Sequence, residues 1–415
     1  MESSKASLRR RIVTSAAAAA AAALALTACA GGGSSSGSTG SGSDQPIIIG
    51  GSLGLTGTYS GPSAGYKLAY DYWVDQTNAA GGLLGRPVTL DIYDDGSNAT
   101  TAQQLYQRLI NEDHADLLLA PYATAVGASI VPITERAGRL VMDPGFFSKE
   151  LHSSSKLLVS SWPYQDTEIA FPFLDYLGEL PAGQKPSTLA VVTAQNPFTL
   201  VGLNGYDGKD GVLNKAKELG INVVFNQEYD QSATDLTGLI QQAQASGAQA
   251  FIALALPNDA SLIAKTVNQV GWNPDYYCSC GSQVTTLPNW PDNGPGANNV
   301  FSTTTAWPSQ GYPGLQELAD YFAAHGSPNL PAYGAVAYAA LQILGDAVTA
   351  TGSLDDQTLH DYIIGHQFDT VLGPVSYNTD GTISFAALLV QFQGDSNQVI
   401  WPAKYATAQA RTPLR

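Results

Sequence analysis

The sequence contains few of the residues that build metal centres and disulfide frameworks. Its 415 residues include three cysteines and five histidines, and the histidines are scattered. A structural zinc site needs several such ligands close together, so a metal centre is not expected. Cys278 and Cys280 lie two apart in a strand-like stretch, which puts their Cα atoms about 7 Å apart, at the limit for a disulfide. We therefore expect two semi-buried cysteines without a redox or metal role.

Basic residues are also scarce. Lysine and arginine number 19 against 35 aspartates and glutamates, which gives a formal net charge of −16. Such an acidic chain repels nucleic acids and anionic lipid headgroups, so neither is expected as a partner. Beyond the amino terminus, the sequence has no apolar run of the roughly 20 residues that a membrane-spanning helix needs. The length exceeds one comfortable core and favours two lobes.

The amino terminus has the pattern of an export signal. Lys5 and the arginines at 9–11 precede an apolar, alanine-rich run at 16–26, which is too short for a stable membrane span. The motif Leu26-Thr27-Ala28-Cys29 resembles the lipobox of bacterial lipoproteins. The resemblance implies that residues 1–28 are removed, that Cys29 carries lipid, and that 29–45 form a flexible Gly/Ser tether. A permanent membrane anchor fits this sequence pattern less well. Whether export follows the Sec or the twin-arginine route stays open.

After the tether, short apolar runs alternate with amphipathic segments, as in α/β proteins. The alternation implies parallel sheets covered by helices on both faces. We predict two doubly wound, Rossmann-like lobes, with a ligand between them at the carboxyl ends of the strands. Strands are expected at 47–49, 88–93, 117–119, 140–141, 188–194, 222–225, 250–256, 300–305 and from 383 onward. Helices are expected at 66–77, 102–110, 126–136, 200–219, 236–245, 315–324 and 335–349.

Motifs of covalent chemistry are weak in this chain. Residues 61–65 fit the G-x-S-x-G pattern around Ser63, but that motif needs a strand directly before it, and the first strand ends about eight residues earlier. A secreted serine hydrolase built on Ser63 is therefore only an alternative hypothesis. The glycines after the first strand lack the G-x-G-x-x-G spacing of a dinucleotide loop. We expect neither an enzyme nor a cofactor.

Three stretches together resemble the leucine/isoleucine/valine-type periplasmic binding proteins. Residues 55–98 contain a T-G loop, then N-A-A-G-G, then a D-D turn. Residues 117–145 resemble that family's third strand, ligand loop and following helix and strand. Residues 370–383, "TVLGPVSYNTDGTI", resemble its G-P crossover near the carboxyl terminus. The likeness spans essentially the whole chain after the tether.

This resemblance implies a type 1 periplasmic-binding fold, an α/β architecture of two lobes joined by a three-crossing hinge. Lobe 1 would comprise 46–163 and 284–371, and lobe 2 would comprise 164–283 and 372–411. The family supplies the solute-binding component of ABC importers, so the implied partners are a small-molecule ligand and a membrane permease, and the implied state is a monomer. A sensory receptor domain that is not coupled to transport is the alternative function, because the same fold serves both.

The resemblance also implies a set of ligand contacts. In amino-acid-binding members, a serine after the third strand binds the ligand carboxylate, and Ala123 stands at that position here. Cys280 stands where the family has the acid that pairs with the ligand ammonium. The full set of expected contacts is Tyr59, Ala123, Thr124, Phe146, Phe147, Phe198, Leu256 and Cys280.

The missing acid shapes the expected ligand. Burying an ammonium without a counter-charge costs several kcal/mol. A standard α-amino acid would therefore bind poorly unless Asp143, Asp166 or Asp259 takes over the role. The aromatic and apolar contacts instead favour an aromatic or apolar carboxylate, an amide or a related small molecule.

Overall fold

The computed structural model describes residues 45–146, 148–163, 165–206, 208–281, 283–327, 329–383 and 387–414. The predicted signal peptide, Cys29, nearly all of the tether, and Phe147 lie outside these residues. Within the described part of the chain, none of the helices has the length and apolar composition needed to cross a membrane.

The first lobe is built on a five-stranded parallel sheet. Its strands are β1 (Ile47–Leu53), β2 (Val88–Asp94), β3 (Leu117–Leu119), β4 (Val141–Asp143) and β5 (Leu158–Ser160). They lie in the order β2-β1-β3-β4-β5. The register of the central pair aligns Ile47 with Val88 and Leu53 with Asp94. All carboxyl ends therefore meet at one edge, where a ligand site forms in folds of this kind.

The second lobe is built on a seven-stranded sheet, and the two remaining strands, β11 and β12 below, form a separate ribbon. These are β6 (Thr188–Ala194), β7 (Asn222–Tyr229), β8 (Ala250–Leu254), β9 (Tyr276–Ser279), β10 (Phe301–Thr304), β11 (Phe368–Thr370), β12 (Gly373–Val375), β13 (Leu388–Gln393) and β14 (Ser396–Trp401). The order in the large sheet is β14-β13-β10-β9-β8-β6-β7. From β7 to β10 the strands are parallel, whereas β13 and β14 are antiparallel to their neighbours.

The predicted lobe boundaries differ from the sheet pairing at one strand. Residues 284–371 were expected in lobe 1, yet β10 lies in the second sheet. There Phe301 pairs with Cys278 of β9, and Ser302 pairs with Val390 of β13. All four residues of β10 are buried, because the strand lies inside the second sheet between β9 and β13. The other boundaries stay a prediction.

Helices cover the sheets, and six of the seven predicted helices match observed ones. They are α1 (Ser60–Ala79), α2 (Ala99–Asn111), α3 (Thr124–Ala137), α4 (Lys149–Ser154), α5 (Phe171–Glu179), α6 (Pro197–Asn204), α7 (Gly211–Glu218), α8 (Thr237–Ala245), α9 (Pro257–Gln269), α10 (Leu315–Ala324), α11 (Ala332–Thr351) and α12 (Asp356–Gly365). Short 3-10 turns occur at Asp166–Glu168, Val284–Thr286, Trp290–Ala297, Pro308–Gln310 and Ala403–Tyr405.

One predicted helix is wrong. Residues 200–219 form two helices, α6 and α7, rather than one. Gly205, Asp210 and Gly211 all have positive φ, which an α-helix does not accommodate. The glycine-rich stretch between the two helices therefore ends α6 and reverses the chain before α7 begins.

Local signals explain how a typical helix begins and packs. The Asn98 side chain accepts hydrogen bonds from the N–H groups of Thr100 and Thr101 and so caps α2. Ala102, Tyr106 and Leu109 of this helix are fully buried against the first sheet. Spacings of four and three residues place the three side chains on one face.

The chain passes between the two lobes after β5, after β10 and again before β13. Helices α10 and α11, which follow β10, pack against α1 of the first lobe. Before β13, the chain still contacts lobe 1, because the Ser160 N–H donates to the Gly381 carbonyl at 2.8 Å. This connectivity agrees with the expected three-crossing hinge and leaves a cleft between the carboxyl edges of the two sheets.

Candidate ligand-binding site

A cavity, called the central cavity below, lies in the cleft and is lined by both lobes. Lobe 1 contributes loops that follow β1, β3 and β4, and lobe 2 contributes loops that follow β6, β8 and β9. The lining residues are Tyr59, Tyr122, Ala123, Thr124, Ala125, Gly145, Asn196, Phe198, Leu256, Gly281, Gln283 and Tyr333. Five of the predicted contacts are among them: Tyr59, Ala123, Thr124, Phe198 and Leu256.

The amino terminus of α3 forms one wall of the central cavity. Ala123 precedes the helix in an extended conformation and has no side chain that could cap it, and the first turn contains no acidic residue. The first N–H groups of a helix have no partner inside it and lie at the positive end of the helix dipole. Since Thr124 and Ala125 line the cavity, this end of α3 suits a carboxylate or carbonyl oxygen.

Three tyrosines form an aromatic wall on the lobe 1 side. The ring of Tyr122 meets those of Tyr59 and Tyr333 edge-on, with centroids 5.5 Å and 5.3 Å away. The Tyr122 Oη also lies 3.5 Å from the Tyr333 Oη. Burial raises the pKa of Tyr59 above its ordinary value, so its phenol stays neutral. The wall therefore combines apolar ring surface with neutral hydroxyl groups.

The opposite wall comes from lobe 2 and is largely apolar. The Asn196 side chain accepts a hydrogen bond from the Phe198 N–H at 3.0 Å, which caps α6 and fixes the start of this wall. The Phe198 side chain is 8% exposed, and Leu256, at the start of α9, is 6% exposed. Both side chains can contact an apolar ligand body across the cleft.

Phe146, a predicted ligand contact, lies in the core instead of the cavity wall. It is fully buried in a cluster with α2 and α3. A side chain on Gly127 of α3 would overlap the Phe146 ring, so glycine is required there for the close approach. Phe146 therefore supports α3 from behind, and neighbouring Gly145 lines the cavity in its place.

The two cysteines also differ from their prediction, since they form a disulfide. The Cα atoms of Cys278 and Cys280 are 5.3 Å apart, within disulfide range. The estimate of about 7 Å assumed a continuous strand, but β9 ends at Ser279, so the chain turns before Cys280. Both residues are fully buried, and neither lines the central cavity. The contact of Cys280 with a ligand therefore stays a prediction.

Of the three carboxylates that could replace the missing acid, Asp143 is sealed away from the cleft. It is fully buried and lies 3.3 Å from the His152 Nε2. Its Oδ1 accepts hydrogen bonds from the N–H groups of Gly145 and Phe146 at 2.8 and 2.7 Å. Burial raises its pKa well above the ordinary value. Asp143 therefore holds the loop that carries Gly145 rather than meeting the ligand.

Asp166 and Asp259 line two further cavities, one on each side of the central cavity. The cavity beside Asp166 is called the Asp166 cavity below. Its lining is Thr124, Ala125, Ala128, Ser148, Glu150, Leu151, Asp166, Asn196, Pro197, Phe198, Val201 and Tyr206. The cavity beside Asp259 shares Tyr59 and Leu256 with the central cavity. The Asp259 carboxylate accepts a hydrogen bond from the Tyr229 hydroxyl.

Several lining residues were missed from the sequence: Tyr122, Asn196, Gln283 and Tyr333. Tyr122 adjoins Ala123 in the predicted ligand loop, so its position alone could have identified it. Tyr333 lies in the first turn of α11, more than two hundred residues after Tyr122. Only the return of the chain to lobe 1 brings the two rings together.

Hydrolase and metal chemistry find no support in the described part of the chain. Ser63 is fully buried in the first turn of α1, and β1 ends at Leu53, so the strand-turn-helix context of a nucleophile is missing. His152, the buried histidine, is engaged with Asp143 in a different region of lobe 1. Within the described residues, no group of three potential ligands is placed to hold a metal ion.

Two doubly wound lobes around a shared cleft define a solute-binding protein. The chain belongs to the periplasmic binding protein family, whose pattern matches residues 46–397. This confirms the family and fold expected from the sequence. The family acts outside the cytoplasm, and its members are binding proteins rather than enzymes.

Individual relatives agree with this assignment. An amino acid binding protein of Pseudomonas aeruginosa is 21% identical over 81% of this chain and 88% of its own length. The isoleucine complex of the branched-chain amino acid transporter substrate binding protein of Streptococcus pneumoniae has a TM-score of 0.74, with 15% identity over 86% of this chain and 100% of that chain. A solute binding protein of R. palustris in complex with benzoate has a TM-score of 0.75, with 15% identity over 88% of this chain and 98% of that chain. The two structures show the shared fold.

Proposed function

We propose that the protein is the lipid-anchored receptor of an ABC importer and captures a small organic solute outside the cytoplasm. Family membership supports capture of a solute. The lipobox at Cys29 and the Gly/Ser tether support anchoring. A lipid chain would keep the two lobes near a membrane permease, because each buried methylene adds about 0.8 kcal/mol to membrane affinity.

The proposed ligand is an aromatic or apolar carboxylate or amide. The observation that carries this proposal is the lining of the central cavity. The start of α3 suits a carboxylate or carbonyl oxygen, and Tyr59, Phe198 and Leu256 surround the rest with apolar surface. Among the described residues that line this cavity, none is a carboxylate that could neutralise an ammonium group. The solved benzoate complex with this fold is consistent with such a ligand.

Binding would shift the population of the two lobes toward closure. Thr124 lies on lobe 1, whereas Phe198 and Leu256 lie on lobe 2. A ligand that contacts all three makes its full set of contacts only when the cleft is closed. The difference in contacts between open and closed states is what drives closure.

A thermal-shift panel on the purified full-length chain in mild detergent tests the proposal. The panel contains benzoate, phenylacetate, short aliphatic amides, leucine, isoleucine and a polyol. A ligand at a hundred times its dissociation constant stabilises the folded state by about 2.7 kcal/mol. We expect aromatic carboxylates or amides to raise the melting temperature. If leucine or isoleucine alone raises it, the proposed ligand class is wrong.

A further inference from the structure

The Asp166 cavity continues from the central cavity around the wall formed by Phe198. The two cavities share Thr124, Ala125, Asn196 and Phe198. The start of α3 therefore borders both. Lobe 1 supplies α3, Ser148 and α4 to the Asp166 cavity, and lobe 2 supplies α6 and the turn that begins at Asp166. A ligand anchored at α3 can extend past Phe198 into this second space.

The carboxylate of Asp166 is nearly buried and is held by uncharged hydrogen-bond donors. It is 2% exposed and accepts hydrogen bonds from the Tyr206 hydroxyl at 2.7 Å and the Thr167 N–H at 3.0 Å. The backbone N–H groups of Lys149 and of Asp166 itself are further donors. Because these donors carry no formal charge, they leave the negative charge of the ionised carboxylate without a counter-ion.

The carboxylate is also unusually poor in positive charge. Among the ion pairs of the described residues, Lys149 pairs with Asp210 at 3.9 Å, and no lysine, arginine or histidine pairs with Asp166 or Glu150. Burial raises the pKa of Asp166 to about 6, against the lowering effect of the Tyr206 hydrogen bond. At neutral pH, the group is therefore mostly ionised and lacks a partner charge, which is unfavourable in a buried position.

We infer that the Asp166 cavity is a second ligand subsite that receives an ammonium or guanidinium group separated from the ligand carboxylate by an apolar spacer. The carboxylate end lies at α3, the spacer passes Phe198, and the cation pairs with Asp166. This inference rests on the proposed function of the central cavity. It also allows a ligand with a cationic group although position 280 has no acid, because Asp166 in the neighbouring cavity supplies the counter-charge.

Asp259 is the weaker candidate for this role. Its cavity shares Tyr59 and Leu256 with the central cavity but none of the α3 residues. Asp259 lies in the first turn of α9, where a negative charge already stabilises the helix terminus.

Calorimetric titration with two matched probes tests the inference on the full-length chain. The probes are p-methylbenzoate and p-(aminomethyl)benzoate, which share the carboxylate and the ring and differ in the cationic group. We expect the amine to bind at least tenfold more tightly at pH 7.5. The variant Asp166→Asn keeps the size and one acceptor oxygen but removes the charge, so it should abolish the preference. The matched control Asp259→Asn should retain it.

The pH dependence supplies a second readout. Other charged groups near Asp166 are Lys149 and Glu150 on α4, Glu168 on its own turn, and Asp210 before α7; Tyr206 stays neutral. Protonation of Asp166 removes the counter-charge, so the preference for the amine should be largest well above pH 6 and should decrease as the pH falls through about 6. Burial also raises the pKa of Glu168, so the same titration of Asp166→Asn separates the contribution of Asp166 from that of Glu168.

The outcomes separate the inference from the proposed function. If both probes bind equally, or if Asp166→Asn keeps the tenfold preference, the inference is wrong and the proposed function stands. If neither probe binds, the proposed ligand class fails and the inference fails with it. Because the comparison of the two probes uses the unmodified protein, it holds even if Asp166→Asn does not fold.

Discussion

Asp143 and His152 face each other at 3.3 Å with both side chains fully buried. The His152 Nδ1 lies 2.9 Å from the Ser148 carbonyl, which can only accept, so Nδ1 carries a proton. Burial lowers the pKa of His152 to about 4 and raises that of Asp143 well above its ordinary value. The pair therefore holds one further proton, on Asp143. Through Gly145, this pair fixes a loop that lines the central cavity.

The first prediction concerns the loop that Asp143 holds. Asp143→Ala removes the acceptor of the Gly145 and Phe146 N–H groups and leaves both donors buried. An unsatisfied buried donor costs about 1–3 kcal/mol, so the free energy of unfolding should decrease by about 2–5 kcal/mol. Asp143→Asn keeps the acceptor oxygen and should cost much less. Urea denaturation measures both, and equal losses in the two variants would contradict this role.

The second prediction is a pH dependence of stability that arises from the same pair. Beyond the one proton that every neutral imidazole carries, the folded pair holds one proton. An unfolded aspartate and histidine together hold one such proton between about pH 4 and pH 6.5 and none above that range. The unfolded chain therefore binds fewer protons above pH 6.5, and stability decreases as the pH rises, by up to about 1.4 kcal/mol per unit. Asp143→Asn should remove this decrease between pH 6 and pH 8. An unchanged slope in the variant would contradict the proton assignment.

The third prediction separates the cavity wall from the core behind it. Phe198→Ala removes ring surface that faces the ligand, and burial of a phenylalanine-sized side chain is worth about 1.5–3 kcal/mol. We expect the affinity for p-methylbenzoate to decrease by about tenfold or more, as measured by calorimetry. Phe146→Leu serves as the control, since Phe146 lies behind α3: it should lower the melting temperature and leave the affinity nearly unchanged. The reverse pattern would contradict the placement of the two rings.

The fourth prediction concerns the disulfide. In the denatured chain, Cys278 and Cys280 should react with iodoacetamide only after a reductant has been added, which intact-mass measurement detects. Because the bond closes a very short loop, it restricts the unfolded chain little. Cys278→Ala with Cys280→Ala should therefore leave ligand affinity nearly unchanged. Alkylation without a reductant would show that the thiols are free.

The fifth prediction tests the anchor. Cys29→Ser in the full-length chain removes the residue proposed to carry lipid, so the protein should move from the membrane fraction to the soluble fraction. Ser153→Ala, an exposed hydroxyl on α4, is the matched control and should stay with the membrane. If the Cys29 variant also stays with the membrane, lipid at Cys29 is not the anchor.

Much of the fold could be predicted because the strands are marked by short apolar runs. The strand Thr188–Ala194 and the helix Leu315–Ala324 have the bounds that the pattern predicts. The division of 200–219 into two helices was not predicted, although Gly205, Gly208 and Gly211 mark it. The apolar residues on both sides of these glycines have helical spacing, which favoured one continuous helix. The sheet to which β10 belongs could not be predicted, since three of its four residues have hydroxyl side chains and its sequence does not indicate which strands it pairs with.

The site was less predictable because it depends on contacts between distant segments. Thr124, Phe198 and Leu256 were predicted as ligand contacts because the family resemblance aligns this part of the chain with the ligand-binding loops of that family. Phe146 and Gly145 are neighbours in one loop, and only the tertiary packing decides which of them faces the ligand. The disulfide depended on where β9 ends, and a shift of one residue at a strand end changes the Cα distance enough to permit the bond.

Calorimetric titration of benzoate and isoleucine against the same preparation tests the central claim most directly. The claim is that the central cavity binds a carboxylate next to apolar surface and offers no counter-charge for an adjacent ammonium group. An uncompensated ammonium costs several kcal/mol, and each 1.4 kcal/mol is a factor of ten in affinity. We predict that benzoate binds at least about a hundredfold more tightly than isoleucine. Isoleucine binding in the micromolar range, with benzoate weaker, would contradict the account.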